Sequence, residues 1–407
     1  MWNRRSPVQV ALLAGLAYLP FVGLGYGTDI DITNTRRSGE SILDGDYRIS
    51  RAPGAIAHEF TTGVLDRIGG SVAVALGSAL AAVATLVLLA RIVDRSHGAR
   101  AGRIAVVVVA TQPWFWVAAT SLGDYVYALA LLLLGVDLAQ RDRRVAAGLA
   151  FAVAIGFRST AVLLVGAYLI AELTGRSSGD GASRRATLTS GAVAAGVGVL
   201  FSIPPWLSVG RTADFLQNQF EAGGVAVMVA RWGIKNVAFF GVATIVVVVV
   251  RSPAVGAALG RFRDDVLVRF AVFGAVATEL LFLRFPWKPL HLLPLAVMLA
   301  LFLATSPAVS GRLVAVVVGS QLLLAVVGVS LAEPDVPGAA TSGRFAPGLT
   351  PGVVANEIRC RLDTGDWPNL DTIEADYEAY DVFECQARSW RAGEPSTEPR
   401  LPSDPPF

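Results

Sequence analysis

The chain has 407 residues, of which 54% are hydrophobic and 16% are charged, and its formal net charge is +2. Soluble domains carry roughly 25% charged residues, so this composition excludes an ordinary soluble enzyme and indicates a protein that lies in a lipid bilayer. The net charge is small and the sequence has no patch of basic and aromatic residues, which argues against nucleic acid as a partner.

Apolar runs recur along most of the chain, separated by short charged segments. Because a helix needs about 20 mostly apolar residues to cross a bilayer, the runs predict an all-α integral membrane protein. We expect about eleven transmembrane helices, within a range of roughly nine to thirteen, because two short runs can also form one broken hairpin. The runs cover residues 8–26, 71–90, 104–119, 122–139, 145–157, 159–174, 187–207, 233–250, 267–283, 289–306 and 313–331.

Arginines collect in alternate joints between these runs, as at Arg95, Arg143, Arg185 and Arg263. Basic residues in short loops stay on the cytoplasmic side of a membrane. The pattern therefore predicts a multi-pass protein of the plasma membrane with its N-terminus in the cytoplasm. The long first loop, residues 27–70, and the C-terminal tail would then be extracytoplasmic.

The C-terminal part of the chain differs in composition from the rest. Residues 1–332 are expected to form the transmembrane domain, residues 333–352 a linker rich in Pro and Gly, and residues 353–407 an extracytoplasmic tail with a disordered end. Both cysteines of the chain, Cys360 and Cys385, lie in this tail. A disulfide between them is expected if the tail lies outside the cytoplasm, and two incidental thiols are the alternative.

The first outer loop has the signals of two short helices. Asp31 or Thr33 can cap a first helix that ends near Leu43. Pro53 can open a second helix that runs toward Ile68. We expect both helices to lie along the membrane surface.

Two carboxylates, Asp29 and Asp31, lie immediately outside the first predicted crossing. A carboxylate at this place can act as a general base on an acceptor hydroxyl, and the pair can hold a divalent cation through hard oxygen ligands. The alternative is that they cap the helix that follows. No other cofactor is indicated.

Further polar residues follow in the same loop, beginning with Asp46 and Tyr47. Arg51 precedes a Pro-Gly turn, where its guanidinium can bind phosphate oxygens; a solvated loop arginine is the alternative. Glu59 and its neighbour His58 are interpreted as polar groups of the scaffold rather than metal ligands, because no second His lies at ligand spacing.

Four cations are predicted on the outer side, where the topology rule expects few: Arg51, Arg158, Arg284 and Lys288. Cations near helix ends in a membrane carry a desolvation cost that an anionic partner must offset. The phosphate of a lipid is such a partner, and snorkelling to phospholipid headgroups is the alternative. Asp124, which opens the fourth run, is costly at this depth for the same reason.

The order of these residues resembles the GT-C class of membrane glycosyltransferases, such as protein O-mannosyltransferases and aminoarabinose transferases. The segment from Asp29 to Glu59 is similar to the acidic motif and surface helices that follow the first helix in that class, with Asp29-Ile30-Asp31 in place of the common Asp-Glu pair. The region around Asp124, residues 154–160 and residues 284–294 resemble its second acidic position, its basic turn and its late Leu-Pro segment.

This resemblance implies an inverting transferase that moves a sugar from a polyprenyl-phosphate-linked donor to an acceptor hydroxyl of a glycan, lipid or protein. It implies that either Asp29 or Asp31 is the catalytic base. Residues implied to bind the donor phosphate are Arg51, Arg158, Arg284 and Lys288, and those implied to position substrates are Asp46, Tyr47, Glu59, Asp124 and His291.

A polytopic transporter or lipid flippase of the cell envelope is the main alternative, since such proteins also contain intramembrane charges. The sequence has no duplicated half and no paired broken helices, which transporters often have. A non-enzymatic scaffold of the envelope is a third possibility. Loss of glycosylation on substitution of Asp29 or Asp31 would separate the enzyme from both.

Overall fold

The computed structural model describes residues 5–29, 31–51, 53–175, 181–209, 225–250, 256–257, 259–286, 288–332 and 345–363. These residues form α-helices with one two-stranded sheet toward the C-terminal end. The helices are α1 (Pro7–Leu16), α2 (Asp31–Leu43), α3 (Ile56–His97), α4 (Ala99–Ala110), α5 (Pro113–Ala119), α6 (Tyr125–Ala139), α7 (Arg144–Phe157), α8 (Ala161–Leu173), α9 (Gly181–Val209), α10 (Val225–Phe240), α11 (Val242–Val250), α12 (Val266–Arg284), α13 (Leu293–Thr305), α14 (Gly311–Val326) and α15 (Val353–Asp363). Two 3-10 helices, Leu19–Phe21 and Pro289–Leu292, follow α1 and precede α13.

The apolar helices follow the predicted crossings, which confirms a largely helical membrane protein. Within the described part of the chain, three segments are long and apolar enough to cross a bilayer: Ile56–Ala110, Gly181–Ser208 and Val266–Arg284. Six shorter apolar helical segments accompany them: Pro7–Phe21, Tyr125–Ala139, Arg144–Phe157, Ala161–Leu173, Pro289–Thr305 and Gly311–Val326. The count of eleven crossings stays a prediction.

Two of the predicted runs, 104–119 and 233–250, are each divided into two α-helices in the structure. The run 104–119 breaks before Pro113, where Gln112 caps α5 by accepting hydrogen bonds from the amides of Trp114 and Phe115. Proline lacks the N–H that would continue α4, so a new helix begins there. The run 233–250 breaks at Gly241, whose φ of +70° is left-handed. The two short runs are separate helices, α7 and α8.

The expectation of an all-α chain with a linker at 333–352 is corrected at the C-terminal side. Helix α14 ends at Val326, and strand β1 (Val327–Ala332) pairs antiparallel with strand β2 (Phe345–Pro351). Strand β1 covers the end of the run 313–331 and one residue beyond it, and β2 falls inside the predicted linker. A short apolar run rich in Val suits a strand as well as a helix, and hydropathy alone does not distinguish the two.

The first outer loop forms the expected helices, with one difference. Helix α2 spans Asp31 to Leu43 and ends before Gly45, whose φ is +82°. The second helix begins at Ile56 and continues without a loop into the next crossing, kinked at Gly69 and Gly70. The loop therefore lies against the helical bundle through α2 and the first turns of α3.

Helices α2 and α3 touch through Gly39 and Gly63. The first outer loop can lie this close to α3 only because neither residue has a side chain. A Cβ atom on Gly63 would lie 2.3 Å from the carbonyl oxygen of Gly39. We expect Gly63→Ala to destabilise the protein by about 1–3 kcal/mol, as overpacking does, and to lower the melting temperature in detergent. Gly166→Ala is the matched control, because a Cβ atom there would have no neighbour within 4 Å and alanine favours a helix by about 1 kcal/mol. Equal melting temperatures for the two variants would contradict the close α2–α3 contact.

A second contact locks α2 against α3. The Arg36 Nε atom lies 3.0 Å from Asp66 Oδ2, and both side chains are nearly buried. The Arg36 guanidinium also lies 4.0 Å from the centre of the Tyr26 ring, and the Tyr26 hydroxyl donates to Asp66. Residue 26 lies just before the acidic segment, so this cluster fixes that segment relative to α3.

Candidate active site

Six charged side chains form one continuous series of ion pairs that alternate in sign. The Lys288 Nζ atom lies 2.5 Å from Asp29 Oδ1 and 2.8 Å from Asp31 Oδ2. Arg51 joins Asp31 at 2.7 Å to Asp124 at 2.9 Å. Arg158 Nη1 binds both Asp124 oxygens, at 2.8 and 2.9 Å. We call this set the ion-pair chain; its order is Asp29, Lys288, Asp31, Arg51, Asp124, Arg158.

The ion-pair chain gathers residues from distant parts of the sequence at one end of the helices. Asp29 and Asp31 begin α2, and Arg51 lies in the loop before α3. Asp124 lies at the start of α6, where its carboxylate makes no capping bond to its own helix and binds two arginines instead. Arg158 lies in the turn between α7 and α8. Lys288 lies in the loop between α12 and α13.

Asp29 makes the bond expected of a helix cap and also an ion pair that the sequence did not predict. Its Oδ1 atom accepts a hydrogen bond from the Asp31 amide at 2.9 Å, as a residue that caps a helix does. The same atom binds Lys288. Asp29 therefore fixes the first turn of α2 and the ammonium group that bridges the two carboxylates.

Glu59 and Tyr47 hold the loop that carries Arg51. Glu59 is fully buried and accepts hydrogen bonds from the Ser50 amide at 2.9 Å, the Ser50 hydroxyl at 2.5 Å and the Tyr47 hydroxyl at 2.7 Å. Burial and the adjacent carboxylate raise the pKa of Tyr47 well above its ordinary value, so its hydroxyl keeps the proton that it donates. Tyr47 and Glu59 were expected to position substrates, and the bonds described for them go to other residues of the protein.

Opposite charges set the ionisation of the residues at the centre of the ion-pair chain. Burial alone would raise the pKa of Asp31, but Lys288 and Arg51 outweigh it and hold this pKa well below its ordinary value. Burial would likewise lower the pKa of Lys288, but Asp29 and Asp31 raise it above its ordinary value. Both ion pairs therefore stay charged at neutral pH.

The lowered pKa of Asp31 predicts a pH dependence of stability. A carboxylate whose pKa is depressed by folding contributes stability above its unfolded pKa of about 3.9, and that contribution is lost as the pH falls toward the folded pKa. We expect the melting temperature of the wild type to fall below about pH 4 more steeply than that of Asp31→Asn. Melting curves in detergent between pH 3 and pH 7 measure this difference, and parallel curves would contradict it.

A cavity of about 350 Å³ lies beside the ion-pair chain. Its charged or polar lining residues include Asp31, Arg51, Asp124, Arg158, Lys288 and His291. Its apolar lining residues include members of α6, α8 and α12: Ala128, Leu129, Leu163, Leu164, Leu281 and Phe282. The Arg158 guanidinium also lies 3.8 Å from the centre of the Tyr125 ring. The site can therefore hold a ligand with an anionic head and an apolar tail.

Two further predicted site residues, Asp46 and Arg284, lie outside both the ion-pair chain and the described cavity lining. Asp46 is exposed and pairs with exposed Arg48 at 2.8 Å. Arg284 Nη1 lies 4.0 Å from Met228 Sδ, its guanidinium lies 5.1 Å from the centre of the Phe285 ring, and it is not among the described residues that line the cavity. Neither residue belongs to the ion-pair chain among the described residues. The direction of a side chain at a helix end or in a loop cannot be inferred from its place in the sequence.

The structure bears on the predicted disulfide and on the predicted site for a divalent cation. Cys360 is buried and disulfide-bonded, and Cys385 lies outside the described residues. Within the described ranges, no group of three or more His, Cys, Asp and Glu side chains has the arrangement of a metal site. Lys288 lies between Asp29 and Asp31, so a divalent cation bound by both carboxylates would have to displace its ammonium group.

Sequence reasoning missed a buried ion pair in the C-terminal helix. Glu357 and Arg361 form a buried ion pair within α15. Their spacing of four residues is the signal that was present in the sequence, since it places opposite charges on one face of a helix. Their burial could not be inferred, because they lie in a polar tail.

Comparison with known proteins bears on this fold. The family model for dolichyl-phosphate-mannose-protein mannosyltransferase matches residues 58–208. The crystal structure of ArnT from Cupriavidus metallidurans in the apo state is similar with a TM-score of 0.53 and 20% sequence identity, over 78% of this chain and 62% of ArnT. The structure of the same protein bound to undecaprenyl phosphate gives a TM-score of 0.52 and 20% identity, over 74% and 58% of the two chains. No curated protein sequence matches the chain.

These similarities confirm the resemblance to the GT-C class of membrane glycosyltransferases and its fold. The chain spans about 62% of the length of ArnT. The family match contains Asp124 and Arg158 and begins after the acidic segment and Arg51. The ion-pair chain therefore combines residues inside the matched region with residues on either side of it.

Proposed function

We propose that this protein is a glycosyltransferase that moves a sugar from a polyprenyl-phosphate-linked donor to an acceptor hydroxyl at the extracytoplasmic face of the plasma membrane. The observation that carries the proposal is the cavity, whose lining combines cations of the ion-pair chain with apolar residues of three helices. A lipid-linked sugar phosphate has this combination of an anionic head and an apolar tail. The acceptor is a hydroxyl of a glycan, lipid or protein.

Arg158 is the first candidate for the donor phosphate. It lines the cavity and donates to Asp124 through Nη1 alone among the described residues, so its other guanidinium hydrogens are available to a phosphate oxygen. Arg51 and Lys288 line the same cavity and are shared with carboxylates. A phosphate would draw these cations partly away from Asp31.

Asp31 is the candidate base, because it lines the cavity and Asp29 is not among the residues described there. Its two cations make it a weak base while the cavity is empty. When a phosphate shares Lys288 and Arg51, the Asp31 carboxylate loses part of its stabilisation and its pKa rises. Donor binding would thus prepare the base.

The reaction then follows with inversion at the anomeric carbon. Asp31 accepts the proton of the acceptor hydroxyl, whose oxygen forms a bond to the anomeric carbon as the bond from that carbon to the phosphate oxygen breaks. The electron pair of the broken bond goes to the phosphate. Nearby Arg and Lys side chains stabilise this developing charge, so the leaving group needs no proton.

The distribution of other charges supports the proposed orientation. Ion pairs at the opposite ends of the same helices join Arg95 to Asp137 at 2.8 Å and Arg144 to Glu172 at 2.8 Å. Both arginines lie in joints that the charge rule assigns to the cytoplasm. The ion-pair chain would then face the extracytoplasmic side.

Purified protein in lipid nanodiscs provides the test. We expect transfer of radiolabelled sugar from at least one member of a panel of polyprenyl-phosphate sugars to envelope acceptors. Asp46→Asn should retain the wild-type rate, because Asp46 is exposed and outside the cavity. A wild type that transfers none of the sugars but moves labelled polyprenyl phosphate across vesicle membranes would refute the transferase and favour the flippase.

A further inference from the structure

We propose that the C-terminal helix α15 is a positioning element for the active site, acting through the ion pair of Glu357 and Arg361. The inference rests on the proposed function in one respect: it takes Asp31 and Asp124 as members of the working site. It concerns residues 353–363, which belong to the tail and make no contact with the cavity among the described residues.

The ion pair is buried and complete. The exposed fractions of the Arg361 and Glu357 side chains are 0% and 3%. Arg361 Nε and Nη2 donate to Glu357 Oε1 at 2.9 and 2.7 Å. Among the described residues, this pair has two bonds to other segments: Arg361 Nη1 donates to the Thr120 carbonyl at 2.8 Å, and the Thr28 hydroxyl donates to Glu357 Oε2.

These two outward bonds end on the two loops that carry the acids of the ion-pair chain. Thr28 immediately precedes Asp29, and Thr120 lies four residues before Asp124. The loops also bind each other, since the Leu122 amide donates to the Tyr26 carbonyl at 2.6 Å. The Glu357–Arg361 pair therefore connects both loops to α15.

The loops fit together so closely that the position of one determines the position of the other. Gly27 has a φ of +110°, and a Cβ atom there would lie 2.4 Å from Ser121 Cβ. Glycine is the residue that adopts this φ without strain. A displacement of the Thr120 segment would therefore be transmitted to the acidic segment that begins at Thr28.

Stability alone gives little reason to bury this pair. Replacing a buried ion pair by apolar residues is often neutral or stabilising, because the desolvation cost of two charges offsets their attraction. What the charged pair supplies here is directed bonds to one hydroxyl and one carbonyl on different loops. Catalytic groups must be held to within about 0.5 Å of their working geometry, which such bonds can achieve.

Helix α15 is itself fixed to the membrane helices. It packs against α5 and α14. The Gly352 amide, just before its first turn, donates to the Val326 carbonyl at the end of α14 at 2.8 Å. Cys360, one residue before Arg361, is buried and disulfide-bonded. The Glu357–Arg361 pair therefore lies on a helix that is held in place by its packing against α5 and α14.

The test removes the bonds and keeps the packing. In the double variant Glu357→Met/Arg361→Met, we expect amide hydrogen exchange in residues 26–32 and 120–125 to become about tenfold faster, as local opening becomes easier. Leu362→Ser is the matched control on the same helix, since Leu362 is exposed, and it should exchange like the wild type. Unchanged exchange in the double variant, with the helix still folded, would overturn the inference.

A second pair of variants separates positioning from general destabilisation. Thr28→Val removes one hydroxyl at nearly constant volume, and Thr28→Ser keeps that hydroxyl. We expect Thr28→Val to lower kcat about 10- to 100-fold with KM for the donor unchanged, since a misplaced catalytic group costs rate, and Thr28→Ser to restore it. Equal kcat in the two variants would overturn the inference.

The two readouts keep this inference distinct from the proposed function. If the wild type transfers no sugar, the glycosyltransferase proposal fails, and the exchange rates still decide whether α15 fixes the two loops. If the wild type is active and exchange is unchanged in the Met variant, the positioning role alone fails.

Discussion

Sugar transfer by Asp31→Asn is expected to fall by about 10²- to 10⁴-fold, the usual contribution of a general base. Asn keeps the shape of the side chain and its place in the cavity wall, but its amide cannot accept the proton of the acceptor hydroxyl. We expect a smaller loss, about tenfold, for Asp29→Asn, because Asp29 orients the first turn of α2 and Lys288. Initial rates in nanodiscs at saturating donor measure both effects.

Two controls make the comparison of Asp29→Asn with Asp31→Asn decisive. Melting temperatures show whether either variant is less well folded, and Asp46→Asn controls for the loss of a carboxylate at the same membrane face. A greater loss for Asp29→Asn than for Asp31→Asn would reverse the assignment of the base. Rates that are indifferent to both substitutions would contradict an Asp-dependent transferase and favour a transporter.

The sequence revealed every member of the ion-pair chain, for a physical reason. Carboxylates and cations next to apolar runs are costly unless they are paired, so residues such as Asp124, Arg158 and Lys288 stand out against their neighbours. Their mutual pairing could not be predicted, because it depends on how helices far apart in sequence pack together. Binding of a donor phosphate by the four predicted cations stays a prediction, and the structure pairs three of them, Arg51, Arg158 and Lys288, with carboxylates.

Some parts of the fold could be predicted from patterns in the sequence, and others could not. The position of α2 was predictable because capping residues and Gly45 mark its ends. Strand β1 was not, because its residues are as apolar as those of a helix and its partner β2 lies in a segment rich in Pro and Gly. The role of α15 was not predictable either, since burial of Glu357 and Arg361 depends on contacts with residues more than two hundred positions away.

The alternation of charge in the ion-pair chain has a consequence for binding. Three carboxylates and three cations leave the set formally neutral. A neutral set avoids the repulsion that free cations would exert on one another in an empty cavity. Under the proposed function, the added negative charge of a phosphate would redistribute these bonds and so link occupancy of the donor site to the ionisation of Asp31.

Lys288→Met is expected to show how strongly the two carboxylates depend on the bridging ammonium. Asp29 and Asp31 would keep their close approach without the cation between them, and their repulsion would raise the pKa of one of them. We expect transfer to fall by about 100-fold and stability at pH 7 to fall by about 1–3 kcal/mol, less than for a fully buried pair because Lys288 is 29% exposed. Rates and melting temperatures at pH 7 measure these losses.

The sign of the pH effect distinguishes lost ion pairing from lost packing. A carboxylate whose folded pKa is raised above its unfolded value binds a proton more readily in the folded state, so Lys288→Met should gain stability as the pH falls from 7 to about 5. Lys288→Met/Asp29→Asn removes the unpaired carboxylate, and its melting temperature should be higher than that of Lys288→Met at pH 7 and nearly constant over this range. Arg48→Met, which breaks an exposed pair, should cost at most about 1 kcal/mol. A Lys288→Met protein that the second substitution fails to rescue would contradict repulsion between the two carboxylates as the cause.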